Sequence, residues 1–323
     1  MQVLPIPYHP AQDVLDSTKI QAYQDCPRMF FYEYMLGWRS SYPSNHLVFG
    51  TCVHKALEHV IINGYTVESA MEALEIFNTD YRMVFPKSTD ELFWPKTPAR
   101  FFDILIKYLK DYKGDKAQYT VYKTEFGGTI SLSDNHRVAF KMDTIFQDNY
   151  TGLYVSLEHK TTQANAIHQN YIVQHQMGIQ CGTYNHVLNC LFPPDQVAGI
   201  IINLLCFKKT KGVKAGVENF ILQRFPVNLS NAHMYSWLEN TKRWMDLIAA
   251  DREMLSNTTD RDDLMVCFPK NGRSCTNFNR VCTYFDLCQG WQNPLQHLER
   301  MPVDMEVSFW NPLEEDLREV LTL

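Results

Sequence analysis

Asp143, Glu158 and Lys160 are the residues whose types and spacing bear most directly on chemistry. In AFKMDTIFQDNYTGLYVSLEHKTT (139–162), Asp143 sits inside one apolar run, a polar turn follows at 147–152, and a second apolar run ends in Glu158-His159-Lys160. Two hard oxygen donors beside an ammonium suit one reaction in particular. Water can cut a phosphodiester in-line when Mg²⁺ or Mn²⁺ is held next to the scissile phosphate. A lysine beside the metal can orient or deprotonate that water, or stabilise the charge that develops. Residues two apart in a strand share a face, so Glu158 and Lys160 point one way and His159 the other. If 137–146 and 153–160 pair as antiparallel strands, Asp143 comes near Glu158. Ordinary edge charges explain the stretch equally well when it is taken alone, because this spacing recurs by chance.

Other residues join this set conditionally. His54 lies at the edge of a helical apolar stripe with Glu58 one turn later, and it becomes a metal-ligand candidate only if its helix packs beside Asp143. Gln176, Gln180 and Tyr184 fall at four-residue spacing on one helix face, as a nucleic-acid contact or as a wet surface would. Lys208, Lys209, Lys211 and Lys214 crowd a Gly-containing loop that could hold phosphates or form a solvated hairpin tip.

The nine cysteines stand at 26, 52, 181, 190, 206, 267, 275, 282 and 288. An odd number, five of them in apolar segments, argues against a disulfide framework. Cys275, Cys282 and Cys288 sit among polar and aromatic positions and are hard to explain as core, so they are expected to ligate a metal or cluster. A four-coordinate set needs one more thiolate, for which Cys26 is the first candidate and Cys267 the second. Structural zinc favours tight CxxC pairs, and these wider spacings suit a larger cluster better.

The elements that must position these residues follow from periodicity. Helices are expected over 17–38 (capped by Ser17 and interrupted at Pro27), 49–63 (Thr51 a cap, Gly64 a stop), 66–81 and 98–112. From Gln118 the period changes to that of strands: 119–125, 129–133, 137–146 and 153–160, with Gly127-Gly128 and Asp134-Asn135 as turn signals. Glu125 can point toward the site or into solvent, and solvent is the expectation. A long helix over 166–189, a strand at 197–207 buried on both faces, a strand at 218–225 and a helix over 230–250 complete the pattern. The tail 301–323 carries six acids against one base and reads as peripheral.

The chain has 323 residues, 45% of them hydrophobic, and a net charge of −6, which excludes a bulk electrostatic coat for DNA but not a local basic groove. No run of eighteen apolar residues and no basic-then-apolar leader occurs, so a cytoplasmic protein without a membrane span is expected.

Assembled, these residues resemble the PD-(D/E)XK nuclease superfamily, and within it the RecB/AddB/Cas4 branch whose members, phage-encoded ones included, carry a [4Fe–4S] cluster. The resemblance runs from about residue 17 to 288. GTCVHKALE (50–58) is similar to the helix with a metal-binding histidine, here His54. The second-strand acid falls on Asp143, the (D/E)-x-K on Glu158-His159-Lys160, and Q-x3-Y on Gln180 and Tyr184. YQDCPRMFFYEY (23–34) resembles the N-terminal cysteine segment, which makes Cys26 the fourth ligand beside Cys275, Cys282 and Cys288. Two departures stand out: the first gap in the cysteine triplet is x6 where many members have x2, and Phe-Lys-Met-Asp replaces the usual Gly-x-x-Asp.

The resemblance implies an α/β fold, a mixed central sheet flanked by helices, with an N-terminal helical region and a C-terminal cluster segment. One nuclease domain would comprise a helical region at 17–115, a catalytic core at 116–228, a helix and Cys-rich segment at 229–290 and a peripheral acidic tail at 291–323. Mg²⁺ or Mn²⁺ would be held by His54, Asp143, Glu158 and the backbone carbonyl of His159. Lys160 would act on the water. Gln180, Tyr184, Lys208, Lys209 and Lys211 would meet DNA. A [4Fe–4S] cluster, or alternatively Zn²⁺, would staple the ends together. The implied activity is a metal-dependent DNA exonuclease acting on single strands or ends, with a helicase or recombinase as possible partner. The alternatives are an endonuclease of the same fold and a non-catalytic DNA-binding subunit.

Overall fold

The computed structural model describes residues 4–209, 219–314 and 317–323, the side chains of 277–279 excepted. Lys211 and Lys214 lie outside the described residues. Helix α1 (Ser17–Asp25) is capped by Asp16 rather than by Ser17: the Asp16 carboxylate accepts from the Lys19 amide. Pro27 cannot donate the next helical bond, so the expected helix 17–38 is divided into α1, α2 (Pro27–Phe30) and a π-helical turn at Phe31–Met35. After β1 (Trp38–Ser40), α3 (Asn45–Asn63) starts earlier than expected, with Ser44 at its cap, and stops at Gly64 as expected. Helices α4 (Val67–Val84), α5 (Pro98–Tyr112) and α6 (Asp115–Gln118) follow, the first two capped by Thr66 and Thr97.

The next strands are β2 (Tyr119–Ser133), β3 (His136–Asp148) and β4 (Tyr154–Gln163). The expected helix 166–189 is two helices, α7 (Gln169–Met177) and α8 (Ile179–Leu191), because Gly178 between them is extended. Then come β5 (Val197–Phe207), β6 (Phe220–Val227), α9 (Asn231–Ser256), α10 (Phe285–Gly290), β7 (Met305–Val307) and β8 (Glu319–Thr322). The main sheet has the order β6-β5-β4-β3-β2-β8, mixed because β4–β5 and β2–β8 run parallel and the rest antiparallel. A small second sheet pairs β1 with β7.

Strand β5 shows why both faces are covered. Leu205 and Phe207 pack with α3, α4 and α5, whereas Ile202, Leu204 and Cys206 pack with Cys181, Tyr184 and Leu188 of α8. Alternate residues of one apolar strand thus serve two layers. A third cluster joins the aromatic N-terminal segment (Tyr23, Phe30, Phe31, Tyr32) to α9 and to Phe268 and Tyr284.

Gly127-Gly128 is not a turn. The chain runs straight through it as β2, and a Cβ on Gly128, at φ 154°, would lie 1.9 Å from the Leu321 carbonyl oxygen. The glycine serves the close approach of β8, a contact invisible to local turn chemistry. The end of the acidic tail is accordingly an edge strand of the main sheet.

Candidate active site

The β3–β4 ladder ends at Thr144–Leu157, one residue short of Asp143 and Glu158. There the two strands fork, and the Asp143 side chain takes up the freed backbone donor: its Oδ2 accepts from the His159 amide at 2.7 Å. Its other oxygen, Oδ1, lies 3.0 Å from Nδ1 of His54, so α3 does pack beside the acid, and the condition on His54 is met. The Nδ1 contact leaves Nε2 of His54 as the nitrogen that could take a ligand. Glu158 is buried. Its Oε1 accepts from Lys160 Nζ at 2.8 Å and from Gln180 Nε2 at 3.1 Å, while its Oε2 is buried with no hydrogen-bond partner. Gln180 closes the triangle by accepting from Lys160 Nζ at 2.8 Å.

Charge follows from this geometry. Burial, then the neighbouring Asp143 charge, pushes the Glu158 carboxyl up to about 7. Asp143 goes the other way: burial opposes its charge but is outweighed by His54 and His159, which hold it well below the usual carboxylate range. For Lys160, burial is outweighed by Glu158, and the ammonium is held charged. His159 turns to the opposite face, where burial pushes it down to about 3 and keeps it neutral.

His54, Asp143, Glu158, Lys160, Gln180 and Tyr184 all border one cleft of about 950 Å³. Tyr184 is buried, and its hydroxyl donates to the Lys141 carbonyl oxygen and accepts from Gln180 Nε2. The pair on α8 thus braces Glu158 and Lys160. Lys208 and Lys209 lie just past β5, with the Lys209 amide on Asn165 Oδ1 at 3.1 Å, and they are not among the described residues lining this cleft.

Two residues were not assigned to the site from the sequence. For Glu125, solvent was the expectation and the site the alternative. Its side chain is only 12% exposed, lines the cleft and pairs with Lys141 at 3.0 Å. The β2–β3 register brackets Glu125 opposite Asp143, and its positive φ of 42° turns it out of the ladder. Asn203 is the second: it is the one polar side chain in the run 197–207, is fully buried, and reaches His159. A single amide inside an apolar strand is a signal that could have found it.

Cys26, Cys275, Cys282 and Cys288 line one separate cavity of about 260 Å³. The Asn271 amide donates to Cys26 Sγ at 3.4 Å, Lys270 donates to the Cys288 carbonyl oxygen, and Arg28, buried alongside, spans to the carbonyls of Met265 and Phe268. Cys267 is buried elsewhere, against Thr258. Among the described residues, no three His, Cys, Asp or Glu side chains are drawn closely enough to hold a metal ion as they stand. No described helix is long and apolar enough to cross a membrane.

A model of the PD-(D/E)XK nuclease superfamily matches residues 17–289, most of the chain and all of the site just described. The chain belongs to that superfamily, and the mixed sheet flanked by helices is its core. It is therefore a nuclease by family, with DNA as the implied substrate and Mg²⁺ or Mn²⁺ as the ions such nucleases generally use. No curated protein matches the chain.

Proposed function

We propose that this chain is a metal-dependent exonuclease of the RecB/Cas4 type that degrades single-stranded DNA from an end. The observation that carries the proposal is the buried, unpartnered Oε2 of Glu158 at the β3–β4 fork, beside Asp143. A carboxylate oxygen without a donor in such surroundings is costly unless a cation stands next to it. Asp143, Glu158, His54 and the carbonyl of His159 would hold Mg²⁺ or Mn²⁺, which when bound polarises a phosphoryl oxygen and acidifies water.

The protein's own groups supply the rest. Lys160, held charged by Glu158, is suited to orienting the attacking water and offsetting the negative charge that develops on the phosphate, more than to accepting a proton. Gln180 fixes Lys160 and Glu158 relative to each other, and Tyr184 fixes Gln180. The main cleft meets a second groove of about 440 Å³ along α1 and α7, the two sharing Ser17, Thr18, Lys160 and Gln180. Grooves that meet at the lysine support a single strand as substrate.

The four cysteines around one cavity, with Arg28 and Lys270 nearby to offset negative charge, support a [4Fe–4S] cluster over a single Zn²⁺, which needs less room. Cleavage of end-labelled linear and closed circular single strands, wild type beside Lys160→Met, tests the function. Metal-dependent loss of the linear strand alone, abolished in the variant, is expected. Cutting of the circle would make the protein an endonuclease. Cleavage surviving in the variant would remove Lys160 from the mechanism, and no cleavage at all would leave a DNA-binding subunit.

A further inference from the structure

His46, Lys96, Lys209 and Arg280 come from four distant segments and meet near the first turn of α3, where His46 borders the cleft. His46 is in the first turn of α3 and lines the cleft itself. Arg280, exposed between Cys275 and Cys282, places its guanidinium 3.0 Å from Nε2 of His46, so it donates to a neutral imidazole instead of a carboxylate. Lys96 is only 3% exposed, and its ammonium rests on Thr161 Oγ1 at 3.1 Å, one residue past Lys160. Lys209 follows β5, and burial, then the charges of Lys96, Arg280 and Lys209, lowers the His46 pKa.

Among the described residues no carboxylate pairs with any of the four. The α3 N-terminus adds to the field: its first turn holds no acid, and Ser44 makes no side-chain cap. Three cations drawn around a neutral imidazole without a counter-charge destabilise the fold unless an anion joins them.

We propose that this cluster is a binding site for a backbone phosphate of the DNA strand, flanking the scissile bond, with Arg280 as its exposed anchor. The proposal rests on the nuclease assignment and adds a contact supplied by the cysteine-rich segment. It gives that segment a second task, since whatever orders the four cysteines also places Arg280.

The test measures binding of a labelled oligothymidylate to the Lys160→Met protein, with and without Arg280→Ala, across a salt series. One lost phosphate contact on a single strand should lower the slope of log K against log salt by about 0.7 and weaken binding several-fold at low salt. Arg280→Lys should restore most of the slope. Should Arg280→Ala disturb folding, Lys209→Ala, on a different segment, is expected to lower the slope in the same direction. Unchanged slopes in Arg280→Ala and Lys209→Ala overturn the proposal while leaving the nuclease assignment intact. A parent protein that binds no oligonucleotide removes both. Binding of thymidine monophosphate that Arg280→Ala abolishes while oligonucleotide binding stays unchanged would mark a product site and also overturn it.

Discussion

Nδ1 of His159 accepts a hydrogen bond from the Asn203 side-chain amide at 2.7 Å, next to the β3–β4 fork. Asn203 in turn accepts from Arg224 Nε at 3.1 Å, and the Arg224 guanidinium grips both oxygens of Asp115 at 2.9 and 2.7 Å. The chain fixes the His159 proton on Nε2 and ties residue 159 down from below, while its amide is tied to Asp143 from above.

Asn203→Leu therefore removes a donor from His159 and an acceptor from Nε of Arg224, a partly buried guanidinium that keeps its bonds to Asp115. A stability loss of about 1–3 kcal/mol is expected, since a desolvated donor left without its acceptor costs more than the bond it made. Cleavage should fall and need more Mg²⁺ for half-maximal rate, because the His159 carbonyl is no longer held. Urea unfolding and a Mg²⁺ titration of the initial rate read the two effects separately. An unchanged Mg²⁺ requirement would leave Asn203 a purely structural residue.

Glu158 should make the metal-free protein less stable as pH rises. Burial, then Asp143, raises its pKa from an ordinary 4.5 to about 7. The native state thus keeps a proton that the unfolded chain has released between those values. Stability from this group is complete below pH about 4.5 and is lost as pH climbs through about 7. With EDTA at pH 8, Glu158→Gln should be more stable than wild type by about 1–3 kcal/mol, although inactive. Near pH 5 the gap should shrink, and Mg²⁺ should narrow it at pH 8 by stabilising wild type alone. A variant no more stable than wild type at pH 8 would contradict the assignment.

What the sequence revealed was local. Asp143, Glu158 and Lys160 could be grouped because a strand has period two and one turn joins the two strands. Gln180 and Tyr184 could be paired because four residues make one helical turn. Glu125 was misread because its place opposite Asp143 depends on a register shift in β2 between Val121 and Lys123, which no propensity encodes. Asn203 was passed over because its partner lies 44 residues away. The paired glycines looked like a turn because their reason for being there, Leu321, arrives almost two hundred residues later.

That contact gives a direct test of the tail. A methyl on Gly128 would collide with the backbone of β8, which has no flexible end to yield, and φ 154° adds strain for any side chain. Gly128→Ala should undock 319–322, freeing Arg318 from Glu58 at the edge of the cleft. The cost should be about 1–3 kcal/mol, with faster proteolysis at the C-terminus. In a chain truncated before residue 317 the same substitution should cost much less. An equal cost in both backgrounds would show that β2, not the approach of β8, requires the glycine.

The four cysteines join segments some 250 residues apart around one cavity, so a ligand shared by all four would close most of the chain into a loop. Protein purified without oxygen should be brown and carry about four irons per chain. Cys282→Ser should lose the iron and several kcal/mol of stability, because ligation and folding are then one equilibrium. Lys160→Met should keep its iron and its fold, so colour separates the two centres. One zinc and no iron per chain would replace the cluster with a mononuclear site but keep the cross-link. Full stability in Cys282→Ser would remove the cross-link itself, and the N-terminal aromatic segment would then be held to Phe268 and Tyr284 by ring packing and by the Arg28 and Tyr284 hydrogen bonds.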